Sequence, residues 1–234
     1  MSLAANVEML EVVAQALGQQ LCQEVAFVGG CTTALLLTDE FSREEVRYTD
    51  DVDLVVQIAG YGQWQQLIKN LRGKGFRESS DDHIVCRMRL GELKVDFMPA
   101  DPETADLLGC NNRWFAVGLV TAREHSLPSG TQIRLFTPPY FLATKLEAYV
   151  GRGARNPIAS QDLEDILNLV NGREELLHEV DSSTSELRAY LAHAINNLLA
   201  NRDFGYLVQD AARGDHEREQ IIWQRLHHIA QVTA

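Results

Sequence analysis

The stretch from residue 25 to residue 56 constrains this chain more than any other. It opens on the apolar run Val25-Ala26-Phe27-Val28, passes through Gly29 and Gly30, and continues as a helix-like segment over residues 32–37. Two adjacent glycines between a strand and a helix let backbone come close to a ligand, and the free N–H groups that open a helix favour an anion there. After a polar loop the chain returns as Asp51-Val52-Asp53-Leu54-Val55-Val56. Side chains alternate faces in a strand, so Asp51 and Asp53 share one face while Val52, Leu54 and Val56 enter the core. Two neighbouring carboxylates on a core strand repel each other unless a cation lies between them. Oxygen-only ligands beside a phosphate-cradling turn suit Mg²⁺ rather than zinc. The expectation is a site that handles nucleotide phosphates.

Gly29-Gly30, a helix, and then Asp51-x-Asp53 between apolar residues resembles the signature of the DNA-polymerase-β-like nucleotidyltransferase superfamily. The resemblance implies a third carboxylate on a later strand. Leu93-Lys94-Val95-Asp96-Phe97-Met98 fits, with Asp96 on the face opposite Leu93, Val95 and Phe97. It further implies that Asp51 and Asp53 hold Mg²⁺ (or Mn²⁺) on a nucleoside triphosphate. Asp96 then binds a second metal or acts as base toward the attacking hydroxyl. Gly29 and Gly30 cradle phosphate, and the loop residues Arg47 and Thr49 contact the nucleotide.

A second constellation lies further on. Tyr140-Phe141-Leu142-Ala143-Thr144-Lys145-Leu146-Glu147-Ala148 is followed by Gly151-Arg152 and then by Ser160-Gln161-Asp162-Leu163-Glu164-Asp165-Ile166. It resembles the helical motifs of abortive-infection (AbiEii-type) nucleotidyltransferases. That resemblance makes Lys145 a point charge for phosphate and Arg152 and Asp162 positioning residues. From spacing alone, Asp162 and Asp165 share a helical face, so either can pair with Lys145 or Arg152. The plainer alternative is a surface lysine and a helix-opening aspartate favoured by the dipole.

With 234 residues, 45% hydrophobic and 23% charged, the chain has the makings of an ordinary globular core. A fold of α/β (α+β) class is expected: a mixed sheet with flanking helices over residues 1–137, then an all-helical domain over 138–234. The change of composition falls at Thr137-Pro138-Pro139, a helix start with proline at its first position. Helices are expected at about 5–20, between Gly60 and Gly75, and at 140–150, 160–169, 174–180, 185–199 and 216–232. Ser183 and Glu186 form a capping-box pair ahead of the fourth of that last group. Strands are expected at 83–90 and 93–98, an antiparallel pair around Gly91-Glu92, and at 114–120 and 133–135.

The net charge of −12 argues against a grip on extended duplex nucleic acid, even though Lys69, Arg72, Lys74 and Arg77 cluster, as do Arg152 and Arg155. Cys22, Cys31, Cys86 and Cys110 show no Cys-x-x-Cys spacing and read as reduced thiols of a cytoplasmic protein. No segment reads as a membrane span or leader. The expected reaction is Mg²⁺-dependent transfer of a nucleoside monophosphate to an acceptor hydroxyl. The toxin-like resemblance implies tRNA or another RNA as acceptor and an antitoxin protein as partner. Two other readings stay open: nucleotidylation of an antibiotic-type small molecule, and a non-catalytic binding module of the same fold.

Overall fold

The computed structural model describes residues 2–153 and 156–231; Arg155 and Val232 lie outside them. The chain forms two compact units, Met1–Thr32 with Arg47–Thr137, and Thr33–Val46 with Pro138–Ala234.

The first unit is built on a six-stranded mixed sheet. Its strands are β1 (Val25–Val28), β2 (Asp51–Val56), β3 (Arg87–Leu90), β4 (Leu93–Pro99), β5 (Arg123–Ser126) and β6 (Gln132–Leu135), in the order β3-β4-β2-β1-β6-β5. β2 lies antiparallel to β1 and parallel to β4, while β3 and β4 form an antiparallel hairpin. Every residue of β1 is buried, and so are Val52, Leu54, Val55 and Val56 on β2. Phe97 of β4 meets Phe76 edge-on, with ring centroids 5.4 Å apart, a geometry aromatic pairs favour. The helix Ser2–Glu24 buries Leu10, Val13, Ala14 and Leu17 and breaks its helical geometry at Gly18, where φ is +73°. Its buried Asn6 donates to the Arg47 carbonyl and accepts from the Thr49 N–H, which fixes the approach to β2.

The expected strand over 114–120 is instead a helix, Phe115–Thr121. Phe115, Gly118 and Leu119 are its buried residues, a helical spacing rather than an alternation. Gly118 is required there, because a Cβ would stand 2.2 Å from the ring of Phe136. The strand expected over 83–90 is shorter, Arg87–Leu90. The helix Pro102–Leu108, capped by the Asp101 side chain, and the edge strand β5 were absent from the expectations.

The second unit is helical. Its longer helices are Pro138–Gly151, Gln161–Gly172, Ser185–Leu199, Phe204–Ala212 and His216–Gln231, with the short Leu176–Asp181 between them. Phe204–Ala212 was not anticipated, although Phe204, Val208 and Ala212 give it a buried stripe. The N-cap of Ser185–Leu199 is Thr184, accepting from the Leu187 N–H, rather than Ser183, whose hydroxyl donates to the Glu179 carbonyl. Part of the expected polar loop belongs here as the helix Glu40–Glu45, whose N-cap Asp39 accepts from the Ser42 N–H. The Thr38 and Asp39 N–H groups both donate to the Gly172 carbonyl, and Arg218 pairs with Asp39. Among the described residues no helix is long and apolar enough to cross a membrane.

Candidate metal centre

Parallel pairing of β2 with β4 sets Asp53 beside Asp96, and Asp51 lies two residues back along β2 on the same face. One oxygen from each of these three carboxylates lies within 4.8 Å of the others. That span is close to the distance of about 4.2 Å between opposite oxygens of a Mg²⁺ with bonds of about 2.1 Å. Asp51 and Asp53 are half-buried and Asp96 is buried, so their mutual repulsion is only partly screened. The donor set therefore fits a hard divalent cation.

Gly29 makes this arrangement possible. The β1–β2 register puts Val28 opposite Asp53, so the next residue turns directly over the carboxylate. Gly29 has φ of +83°, and a Cβ there would stand 1.8 Å from Asp53 Oδ2. Both the backbone conformation and the space demand glycine. Beyond it, Gly30–Thr32 is a 3₁₀ turn, with the Thr32 N–H and hydroxyl both bonded to the Gly29 carbonyl at 3.1 and 2.9 Å. The helix expected over 32–37 is thus a 3₁₀ turn followed by the single α-turn Thr33–Leu36. Its dipole is correspondingly small, and Gly30 is buried within the turn.

Thr49 is buried, and its hydroxyl donates to the Asp51 carbonyl at 3.2 Å. Its visible task is to shape the entry to β2. Lys94, opposite Asp51 in the ladder, pairs with Asp50, whose pKa is lowered chiefly by that hydrogen bond.

Arg87 was missed by sequence reasoning. It faces Asp96 across the β3–β4 hairpin. Its Nε donates to Asp96 Oδ1 at 2.7 Å, and its Nη2 donates to Asp96 Oδ2 at 2.8 Å and to Asp51 Oδ2 at 3.0 Å. The bonds it donates to Asp96, reinforced by the charges of Asp96 and Asp51, hold the guanidinium's pKa above its ordinary value in spite of burial. The signal was present: with Gly91-Glu92 as the turn, Leu90 opposes Leu93, and counting outward brings Arg87 to Asp96. Next to it, the Cys86 thiol is pushed up by a hydrogen bond with Cys110 and by burial. All four cysteines are free thiols.

The second constellation also comes together, within the second unit. Lys145 Nζ lies 2.6 Å from Asp165 Oδ2 and 3.5 Å from Asp162 Oδ1, and Arg152 pairs with the other oxygen of Asp162. Asp165 is fully buried and also accepts from the Thr33 hydroxyl at 3.2 Å. A cavity of about 760 Å³ belongs to this unit as well. It is lined by Ser42, Glu45, Glu164, Tyr206 and Asp210 among others and includes none of the triad residues.

Compared with known proteins, the sequence matches no family model and no curated relative.

Proposed function

We propose that the protein is a metal-dependent nucleotidyltransferase of the polymerase-β-like kind, using Mg²⁺ and a nucleoside triphosphate, with an RNA hydroxyl as acceptor. The observation that carries this is the meeting of three carboxylates from two adjacent strands beside a glycine that admits no side chain. The likeness of Gly29-Gly30, Asp51-x-Asp53 and Asp96 to that superfamily supports it. In the reaction the acceptor hydroxyl gives its proton to solvent water, and its oxygen bonds to the α-phosphorus. The bond from that phosphorus to its bridging oxygen breaks, and pyrophosphate leaves.

Asp51 and Asp53 supply the charge that fixes a cation at the triphosphate. A Mg²⁺ held there would neutralise phosphate charge and polarise the α-phosphoryl group. Gly29, having no Cβ, leaves the Asp53 carboxylate the space it occupies. Both oxygens of Asp96 accept from Arg87, so the role that fits Asp96 best is to shape and charge the site. Lys145, Arg152 and Asp162, which the resemblance also assigns, are not needed for this conclusion.

The test is incubation with α-labelled nucleoside triphosphates and Mg²⁺, first with total tRNA and then with an aminoglycoside panel. Label on RNA that vanishes in Asp53→Asn supports the proposal. Label on a drug transfers it to a small-molecule acceptor. Absence of label on every acceptor, together with absence of Mg²⁺-dependent pyrophosphate release, sinks it in favour of a binding module.

A further inference from the structure

Arg87 plays no part in the reaction as written, yet it is a cation built against the triad, paired with two of its three carboxylates. It sits on β3, one of the two edge strands of the sheet, with only 11% of its side chain exposed. The guanidinium fork takes both oxygens of Asp96 and one oxygen of Asp51. Bidentate bonds of this kind to a carboxylate are among the strongest a side chain makes. Arginine also stays charged throughout the pH range in which proteins are folded. A divalent ion arriving at the triad therefore meets a resident cation, and each weakens the binding of the other.

We infer that Arg87 is a resident counter-ion that competes with the divalent metal, limiting the site to one ion held by Asp53 and Asp51 and lowering its affinity. This rests on reading the triad as a metal centre, as the proposed reaction does. In the metal-free protein the same guanidinium offsets the repulsion among the three carboxylates, so the sheet edge stays ordered before metal arrives. When metal binds, Asp51 Oδ2 is shared or surrendered while Asp96 stays tied to Arg87. Asp96 is then a positioning residue, acting through the arginine it fixes.

Titration of the protein with Mn²⁺, followed by the resonance signal of the free aquated ion, tests this without any turnover. Native protein should take up one ion. Arg87→Gln should bind about tenfold or more tightly, the ratio that one pKa unit's worth of interaction gives, and should take up a second ion. Equal affinity and stoichiometry in the two proteins overturn the inference. If Arg87→Gln does not fold, the native background still decides. Asp96→Asn should then change Mn²⁺ affinity by less than about threefold while Asp53→Asn abolishes binding; equal losses from the two variants overturn the inference. The proposed reaction has a separate fate. Nucleotidyl transfer with unchanged Mn²⁺ affinity in Arg87→Gln keeps the reaction and discards the role of Arg87. Altered affinity with no transfer does the reverse.

Discussion

The two charged clusters of this molecule follow opposite rules. In the first unit, Asp51, Asp53 and Asp96 bring three carboxylates together, and two of them, Asp51 and Asp96, pair with the guanidinium of Arg87. In the second, Lys145 and Arg152 bring two cations to two carboxylates, Asp162 and Asp165. The second group balances its own charge and is deeply buried at Asp165. Two carboxylates of the first, Asp51 and Asp53, are half open. A cluster that neutralises itself holds a fold together. One that gathers half-open carboxylate oxygens has the donor chemistry a hard divalent cation takes. Sequence motifs already favoured the first group over the second as a reacting site, and the arrangement of partners is a further difference between them.

The sharpest way to break that contrast is at Lys145. Lys145→Met leaves the buried Asp165 carboxylate without its ammonium and should cost about 3–5 kcal/mol in urea unfolding. The double change Lys145→Met with Asp165→Leu should recover most of that loss. If the single variant unfolds like native protein, the second cluster is no more structural than the first.

Next in size is Gly29→Ala. A positive φ alone should cost about 1–2 kcal/mol, and the new methyl must displace Asp53. Unfolding curves should show the loss, and Mn²⁺ binding should disappear with it. Retained metal binding would show that Asp53 reaches the cation by another path.

Asp53→Asn should move stability in the other direction. In EDTA the variant should be more stable than native protein by up to about 1 kcal/mol, because one repulsive charge is gone. Added Mg²⁺ should raise the melting temperature of native protein and leave the variant unmoved. Destabilisation in EDTA would place the first cluster under the same rule as the second.

The smallest effect concerns acid. Asp39, in the second unit, has its pKa lowered to about 2, first by the Ser42 hydroxyl and with help from Arg218. A depressed folded-state pKa contributes stability that is complete above the ordinary value near 3.8 and fades as pH falls toward about 2. Asp39→Asn should therefore flatten the stability profile of the protein between about pH 4 and pH 2 and leave its slope at neutral pH unchanged. The side chain is partly open to solvent, so the change should be modest.

What the sequence made legible follows from how strongly each element is patterned. β1 and β2 are short apolar runs punctuated by glycine and aspartate, and both lie where the alternation puts them. Asp96 could be found because Val95 and Phe97 flank it in a strand. Phe115–Thr121 was misread because a short apolar run fits either period, and Val117 and Val120 are exposed apolar residues that blur the helical stripe. β5 reads Arg-Glu-His-Ser and could not be seen at all, since an edge strand facing water needs no apolar face. Arg87 was recoverable by counting from the hairpin turn, but its pairing with Asp96 becomes evident only once the register is fixed.

The placement of residues Thr33–Val46 sets an order of events in synthesis. The segment is made between β1 and β2 yet packs with the second unit, against Gly172, Arg173 and Arg218. The two strands that flank it pair with each other directly and can do so early. The insert must wait for Arg218, 179 residues after Asp39, which at ribosomal rates is on the order of ten seconds. A fragment ending at Thr137 would keep every strand of the sheet and leave this loop with nothing to fold upon. The two units therefore cannot be separated by a single cut, and dissecting them calls for excising the insert or rejoining the chain in a different order.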